Sequence, residues 1–340
     1  MLLSQFIFFL LLLGNIAMVP IPAHAESVAS TGQGPQSTDI MQLRALHAAD
    51  QRLATIFWRI STGNVALCDP TRAAIGVLLH ARSSYEGSYR DAAQKLFHFA
   101  GEVAVESVFA DGPAATAGLE PNDTIIAVNG SPLGDEKGPE AVAAADRAIA
   151  TAGRGGVVRL TIIRNDERHT IAITPRKACP GRVELDVESG RGAETDGKVI
   201  QVSTAMVNAV PSDDQLAAIL AHEYSHVILR HPERLTAAGV HRGLLSVFGK
   251  SHRLIRLTEE QADRLSVYLM VNAGYDPMAA SRFWHGVGRQ ISGGFLSSGT
   301  HMGWKQRAEM TAREARKALA MPTRPAIPAA LLETRNKPLK

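Results

Sequence analysis

The chain is short of several things, and each shortage closes a class of explanation. Net charge is small, a formal +3 over 340 residues with acids and bases interleaved. Such a surface has no basic stripe to follow phosphates, so a nucleic-acid partner is not expected. After Ala25 no run is apolar enough to cross a bilayer, which argues against an enzyme embedded in the membrane. Cysteine is scarce too. Cys68 and Cys179 are the only two, and neither has a Cys or His at ligand spacing, so a thiolate zinc site is not expected. What remains, 45% hydrophobic and 20% charged residues, is the composition of an ordinary globular protein with room for two domains.

The first residues, MLLSQFIFFLLLLGNIAMVPIPAHA, carry an apolar run from Phe6 to Leu13 and then Ala23-His24-Ala25, a small-x-small cleavage pattern. Residues 1–25 read as a signal peptide, with the mature chain opening at Glu26. No Lys or Arg precedes the apolar run, so an uncleaved N-terminal anchor is the alternative. Either way the body of the chain is expected outside the cytoplasm, in the periplasm or another extracytoplasmic space. Two cysteines in an oxidising compartment point to one Cys68–Cys179 disulfide, with two buried free thiols as the other reading. The bond would close a loop of ~110 residues, which chain entropy values at roughly 4–5 kcal/mol.

After a Ser/Gly/Gln-rich leader, Leu43, Leu46, Leu53, Phe57 and Ile60 recur near helical spacing. Residues 26–98 are therefore expected to form a helical region packed on the C-terminal half of the chain. From about Phe99 the texture changes to a strand, a Gly-Pro turn, a short Ala-rich helix stopped by Gly118, another strand, and a hairpin about Asn165-Asp166. Gly112-Pro113-Ala114, Ala117-Gly118-Leu119, Asp123 and Val128-Asn129-Gly130 in this stretch resemble a PDZ domain of the bacterial exported-protease kind, expected over 99–178. The resemblance implies binding of extended peptides, C-terminal tails among them, by strand addition. Its carboxylate loop is expected near Phe97–Gly101, and the flanking cysteines suggest an insertion whose ends are pinned together.

Residues 221–231 read AHEYSHVILRH. Ser212 with Gln215 forms a capping box, and Asp213 and Asp214 suit the positive end of a helix dipole, so a helix starts here. His222 and His226, four apart, project from one side of it and can hold one divalent ion. Glu223 lies beside them, too close for a third ligand and well placed as a base acting on water. Further on, TEEQADR offers a third ligand. Thr258 and Gln261 read as a second capping box, which sets Glu259 in a first turn, where the dipole favours an ionised carboxylate. Glu260 is the competing ligand. Asp263, one turn on, faces the same way and can accept a ring N–H from a ligand histidine. The segment Val199–Val207 shows imperfect alternation and reads as an edge strand able to align an extended substrate. His231, His241, His252 and His285 read as surface or satisfied core histidines.

LAAILAHEYSHVILRH, the EEQADR segment, NAGYDP, VIQVSTAMVNAV and the late His301 with Arg307 together resemble the zinc metallopeptidase family of the CAAX-prenyl endopeptidases, HtpX and the periplasmic BepA-type proteases. The resemblance spans about Arg182 to Ala315. It implies an α+β fold: a mainly helical zincin-type (gluzincin) domain over 179–320 with the β-rich PDZ domain inserted. It also implies one Zn²⁺ on His222, His226 and Glu259, and it places His301 and Arg307 near the reaction as oxyanion stabilisers, or His301 as a movable extra ligand. Met302 stands where the family has Pro. No cofactor besides zinc is expected.

The function expected is an exported zinc endopeptidase that cuts unfolded or misassembled envelope proteins, with the PDZ domain recruiting or gating them. The alternative is a non-catalytic PDZ adaptor on a metal-stabilised scaffold. A terminal helix is expected from about residue 305, and residues 321–340 read as a loose, Pro-rich basic tail.

Overall fold

The apolar spacing of the first helix extends further than its sequence signal. Pro35–Gly63 forms α1, whose C-terminal half buries Leu53, Ile56, Phe57 and Ile60. The structure is a computed structural model that describes residues 35–188, 190–240, 249–292 and 302–339. The expected signal peptide, His241 and His301 lie outside the described residues.

Past α1 the chain forms β1 (Arg72–Ala74), β2 (Val77–Ala81), α2 (Tyr89–Phe97), β3 (Val103–Val108), α3 (Pro113–Thr116), β4 (Thr124–Val128) and β5 (Ser131–Pro132). Next come α4 (Gly138–Gly153), β6 (Val158–Arg164), β7 (Glu167–Ile173) and β8 (Arg176–Ala178). These build a sheet in the order β2-β3-β4-β6-β7, with β5 paired to β4. Helix α4 covers one face of it. Val105, Ile125, Leu160 and Ile162 meet Ala145 and Ile149 there in an apolar core of their own. The tight β6–β7 hairpin turns at Asn165 and Asp166, both with positive φ (53° and 63°), as two-residue hairpin loops require.

This domain is an insertion. β1 pairs antiparallel with β8, Arg72 opposite Ala178, and just beyond that ribbon Cys68 and Cys179 are disulfide-bonded with Cα atoms 5.5 Å apart. The bond closes a sequence separation of 111 residues.

The remainder runs β9 (Arg182–Asp186), β10 (Ala193–Thr195), β11 (Val199–Ser203), α5 (Thr204–Ala209), α6 (Asp213–Ile228), α7 (His231–Ala237), α8 (Gly249–Asn272), α9 (Met278–His285), α10 (Val287–Ser292), α11 (Trp304–Ala320) and α12 (Ala329–Leu332). Its core joins α1 to α6 through Leu216, Leu220 and Tyr224, and to α8 through Leu265 and Leu269. Gly181 shows how tightly ribbon and helix meet. It has φ +138°, and a Cβ there would lie 2.9 Å from the Tyr224 ring. Among the described residues no helix is long and apolar enough to cross a membrane.

Four expectations need correction. The inserted sheet opens at β2, well ahead of residue 99, because α2 interrupts the strand pattern between β2 and β3 and hides it. Residues 97–101 lead into β3, an inner strand, with Phe97 and Phe99 buried against α1, so they do not border the groove between edge strand β2 and α4. β11 is the central strand in the order β10-β11-β9, not an edge. Residues 321–339 are no loose tail: Ala326, Leu331 and Leu332 join the core, and Asn272 exchanges hydrogen bonds of 2.7 and 3.0 Å with the Ala326 backbone.

Candidate metal centre

Helix α6 starts where its cap predicts, Ser212 Oγ accepting from the Gln215 N–H at 3.3 Å. It then carries His222 and Glu223 into a cavity of about 510 Å³, with His226 one turn on beside them. Helix α8 crosses beside it and supplies Glu259. The capping box expected at Thr258 is absent: Thr258 lies inside α8, its hydroxyl donating back to the Ile255 carbonyl at 2.7 Å. Glu259 therefore stands mid-helix, with no first-turn dipole to favour its charge.

Three donor groups converge. Nε2 of His222 and Nε2 of His226 are 3.3 Å apart. Glu259 Oε2 is 3.3 Å from the first and Oε1 is 3.6 Å from the second. Donors on a tetrahedral ion with bonds of about 2.0–2.1 Å stand roughly 3.3–3.4 Å apart, so the spacing suits a zinc-sized ion. Among the described residues this is the one group of three His, Cys, Asp or Glu side chains placed to hold a metal. Glu260 does not join it.

The outer contacts orient the donors. His222 Nδ1 is 3.0 Å from Asp263 Oδ1, and a carboxylate accepts, so Nδ1 carries a proton and Nε2 is the ring atom that faces the site. Burial opposes a charge on His222, but its contacts with Asp263 and Glu259 outweigh that and raise its pKa to about 10 in the chain alone. Burial pushes Glu223 up to about 7, with Glu259 adding to the shift while His222 and Arg307 oppose it.

Arg307, on α11, is buried with its guanidinium carbon 3.7 Å from the centroid of the Trp284 ring. It donates to both Asp263 oxygens, at 2.6 and 2.7 Å, and reaches Glu259 Oε2 at 3.7 Å. Two of its nitrogens are thus committed to Asp263. The geometry anchors the carboxylates, and Arg307 also lines the cavity.

Residues 191–253 match peptidase family M48, a stretch holding the histidine pair and Glu223 and ending before Glu259. Residues 73–174 match a PDZ domain and take in β2. The chain joins an M48 peptidase domain to a PDZ domain. It is similar to the mitochondrial metalloendopeptidase OMA1 of Arabidopsis thaliana, 26% identical over 140 residues, covering 34% of this chain and 27% of that protein. It is also similar to a probable periplasmic serine endoprotease DegP-like of Pseudomonas putida (strain W619), 33% identical over 104 residues, 30% of this chain and 19% of that one. These alignments therefore span about a quarter and a fifth of the two relatives.

The M48 domain holds one contact that sequence reasoning passed over. Arg230 adopts a left-handed backbone (φ 55°) between α6 and α7, which turns His231 back beneath α6. Its Nδ1 lies 3.0 Å from His226 Nδ1, and its Nε2 3.1 Å from Gln261 Oε1. Arg234 Nη1, which only donates, also points at Gln261 Oε1 at 3.3 Å, which marks that atom as an acceptor. His231 therefore donates through Nε2, accepts at Nδ1 from His226, and leaves the His226 Nε2 lone pair facing the site. The available signal was His231-Pro232, a histidine just ahead of a proline that opens a helix.

Proposed function

We propose that the chain is a zinc-dependent endopeptidase of gluzincin type, exported from the cytoplasm, that hydrolyses unfolded or misassembled protein segments. The observation that carries this reading is the convergence of His222, His226 and Glu259 at tetrahedral spacing beside a glutamate that is not one of the three. A purely structural zinc site fills four positions with protein ligands and needs no such neighbour.

Zinc, when bound, supplies Lewis acidity that polarises a carbonyl and acidifies water. The chain's own residues do the rest. Glu223 takes the proton of the attacking water and delivers it to the leaving amine. Asp263 and His231 hold the two imidazoles with Nε2 forward, and Arg307 holds Asp263 and Glu259 in place. β10, which pairs on one side with β11, offers its other edge to an extended substrate, and its Ala193 with the preceding Gly192 lines the cavity. Ile219, Phe283 and Trp284 form an apolar wall suited to a hydrophobic side chain next to the scissile bond.

The Cys68–Cys179 disulfide supports an oxidising compartment, and one similar protein bears a periplasmic name. The PDZ domain is read as the recruiting module. Cleavage of unfolded casein tests the proposal: wild type with zinc should cut, a chelator should abolish cutting, and Glu223→Gln should retain zinc and lose activity. Wild-type cutting by the Glu223→Gln protein would refute the assigned base.

A further inference from the structure

A cavity of about 630 Å³ lies where the PDZ sheet meets α1 and β9. β2 is the terminal strand of its sheet and β9 of its own, and both line this space. The walls are largely apolar, with Leu79, Val142 and Ile149 from the PDZ domain facing Leu46, Phe57 and Leu185 from the peptidase side. Volume and lining fall in the range of ligand sites.

The polar groups in it do not balance. Arg72 is tied to Asp146 at 2.6 Å and Arg182 to Glu184 at 2.8 Å. Glu106, only 6% exposed, has His47 Nδ1 at 3.0 Å. Asp50, one turn along α1 from His47, has a buried Oδ1 with no hydrogen-bond partner, while His80 Nε2, Arg72 Nε and Arg182 Nε are buried donors or acceptors without one. Glu106 thus has one imidazole beside it and Asp50 Oδ1 has none, in an apolar setting. Burying an unpaired carboxylate costs several kcal/mol, so the arrangement favours a cation. Burial, with the Glu106 charge next, already pushes Asp50 up to about 7.

We propose that this cavity takes an extended peptide along β2 whose lysine or arginine side chain passes between α1 and β3 and is held by Asp50 and Glu106. The peptidase helix α1 thereby sets the specificity of the PDZ groove: an apolar segment interrupted by one basic residue. The inference rests on reading the PDZ domain as the recruiting module. The open edge of β2 supplies backbone pairing, the apolar walls receive the neighbouring side chains, and the two acids select the charge.

The test uses the full-length, zinc-loaded chain carrying Glu223→Gln, so that binding is read without cleavage and does not depend on the peptidase assignment. Fluorescence anisotropy would follow labelled alanine-based nonapeptides with an apolar C-terminal residue and a single arginine moved through the upstream positions. At one position arginine should tighten binding about tenfold over alanine, and glutamate there should weaken it. Adding Asp50→Asn with Glu106→Gln should bring the arginine peptide down to the alanine affinity while the alanine peptide binds as before, which also reports an intact groove. Asp50→Asn alone should remove most of the preference. No position at which arginine discriminates, no binding of any peptide, or a preference that survives in the double variant would each overturn the proposal. Failure of the casein assay with success here would remove the protease and leave the basic-peptide site.

Discussion

His231 Nδ1 stands 3.0 Å from His226 Nδ1, and the far side of its ring is engaged by Gln261 at 3.1 Å. His231→Leu would leave the His226 N–H buried with no acceptor and its ring free to turn. Groups that orient ligand histidines change metal affinity by about 10–100-fold when removed. The variant should bind zinc weaker by that factor in a chelator competition, and excess zinc should restore much of its activity. Unchanged affinity would show that the contact does not orient the ligand.

Asp50 makes folding stability depend on pH in an unusual direction. Its folded pKa is about 7, raised by burial first and the Glu106 charge second, with Glu184 adding and His47 opposing. An unfolded aspartate titrates near about 3.9. Between those values the folded chain keeps a proton that the unfolded chain has lost, so this group lowers stability as pH rises from about 4 to 7. Buried His80, held down at about 3, tilts stability the other way up to its unfolded value near 6.5, but it does so in both proteins compared. Asp50→Asn should therefore unfold later than wild type at pH 8, by roughly 1–2 kcal/mol after allowing for partial exposure, and match it at pH 4. A gap of the same size at both pH values would contradict the assignment.

The disulfide closes a separation of 111 residues and pins the ribbon of β1 and β8. Replacing Cys68 and Cys179 by alanine should cost up to ~4–5 kcal/mol, read as a lower urea midpoint. A loss under about 1 kcal/mol would mean that the pairing of β1 with β8 already closes the loop without it.

Much of the centre was legible because its parts are local. His222 and His226 share one helix face by spacing alone, and Ser212 with two acids marks where that helix begins. The single disulfide followed from cysteine scarcity. What escaped depends on distance or reversal. Thr258 and Gln261 look like a cap, yet the helix already runs from Gly249, and Gln261 is spent on His231 and Arg234 instead. His231 needed a left-handed Arg230 to bring it under α6, a conformation that no spacing rule anticipates. β2 was lost behind α2, and the C-terminal residues read as loose because Asn272, which holds Ala326, lies 54 positions away.

X-ray absorption at the zinc edge tests the central claim most directly. For the zinc-loaded chain the account predicts two imidazole nitrogens with oxygen ligands at about 2.0–2.2 Å and no sulfur, and a changed ligand set in Glu259→Ala. A spectrum with sulfur ligands, or one indifferent to Glu259→Ala, would contradict it.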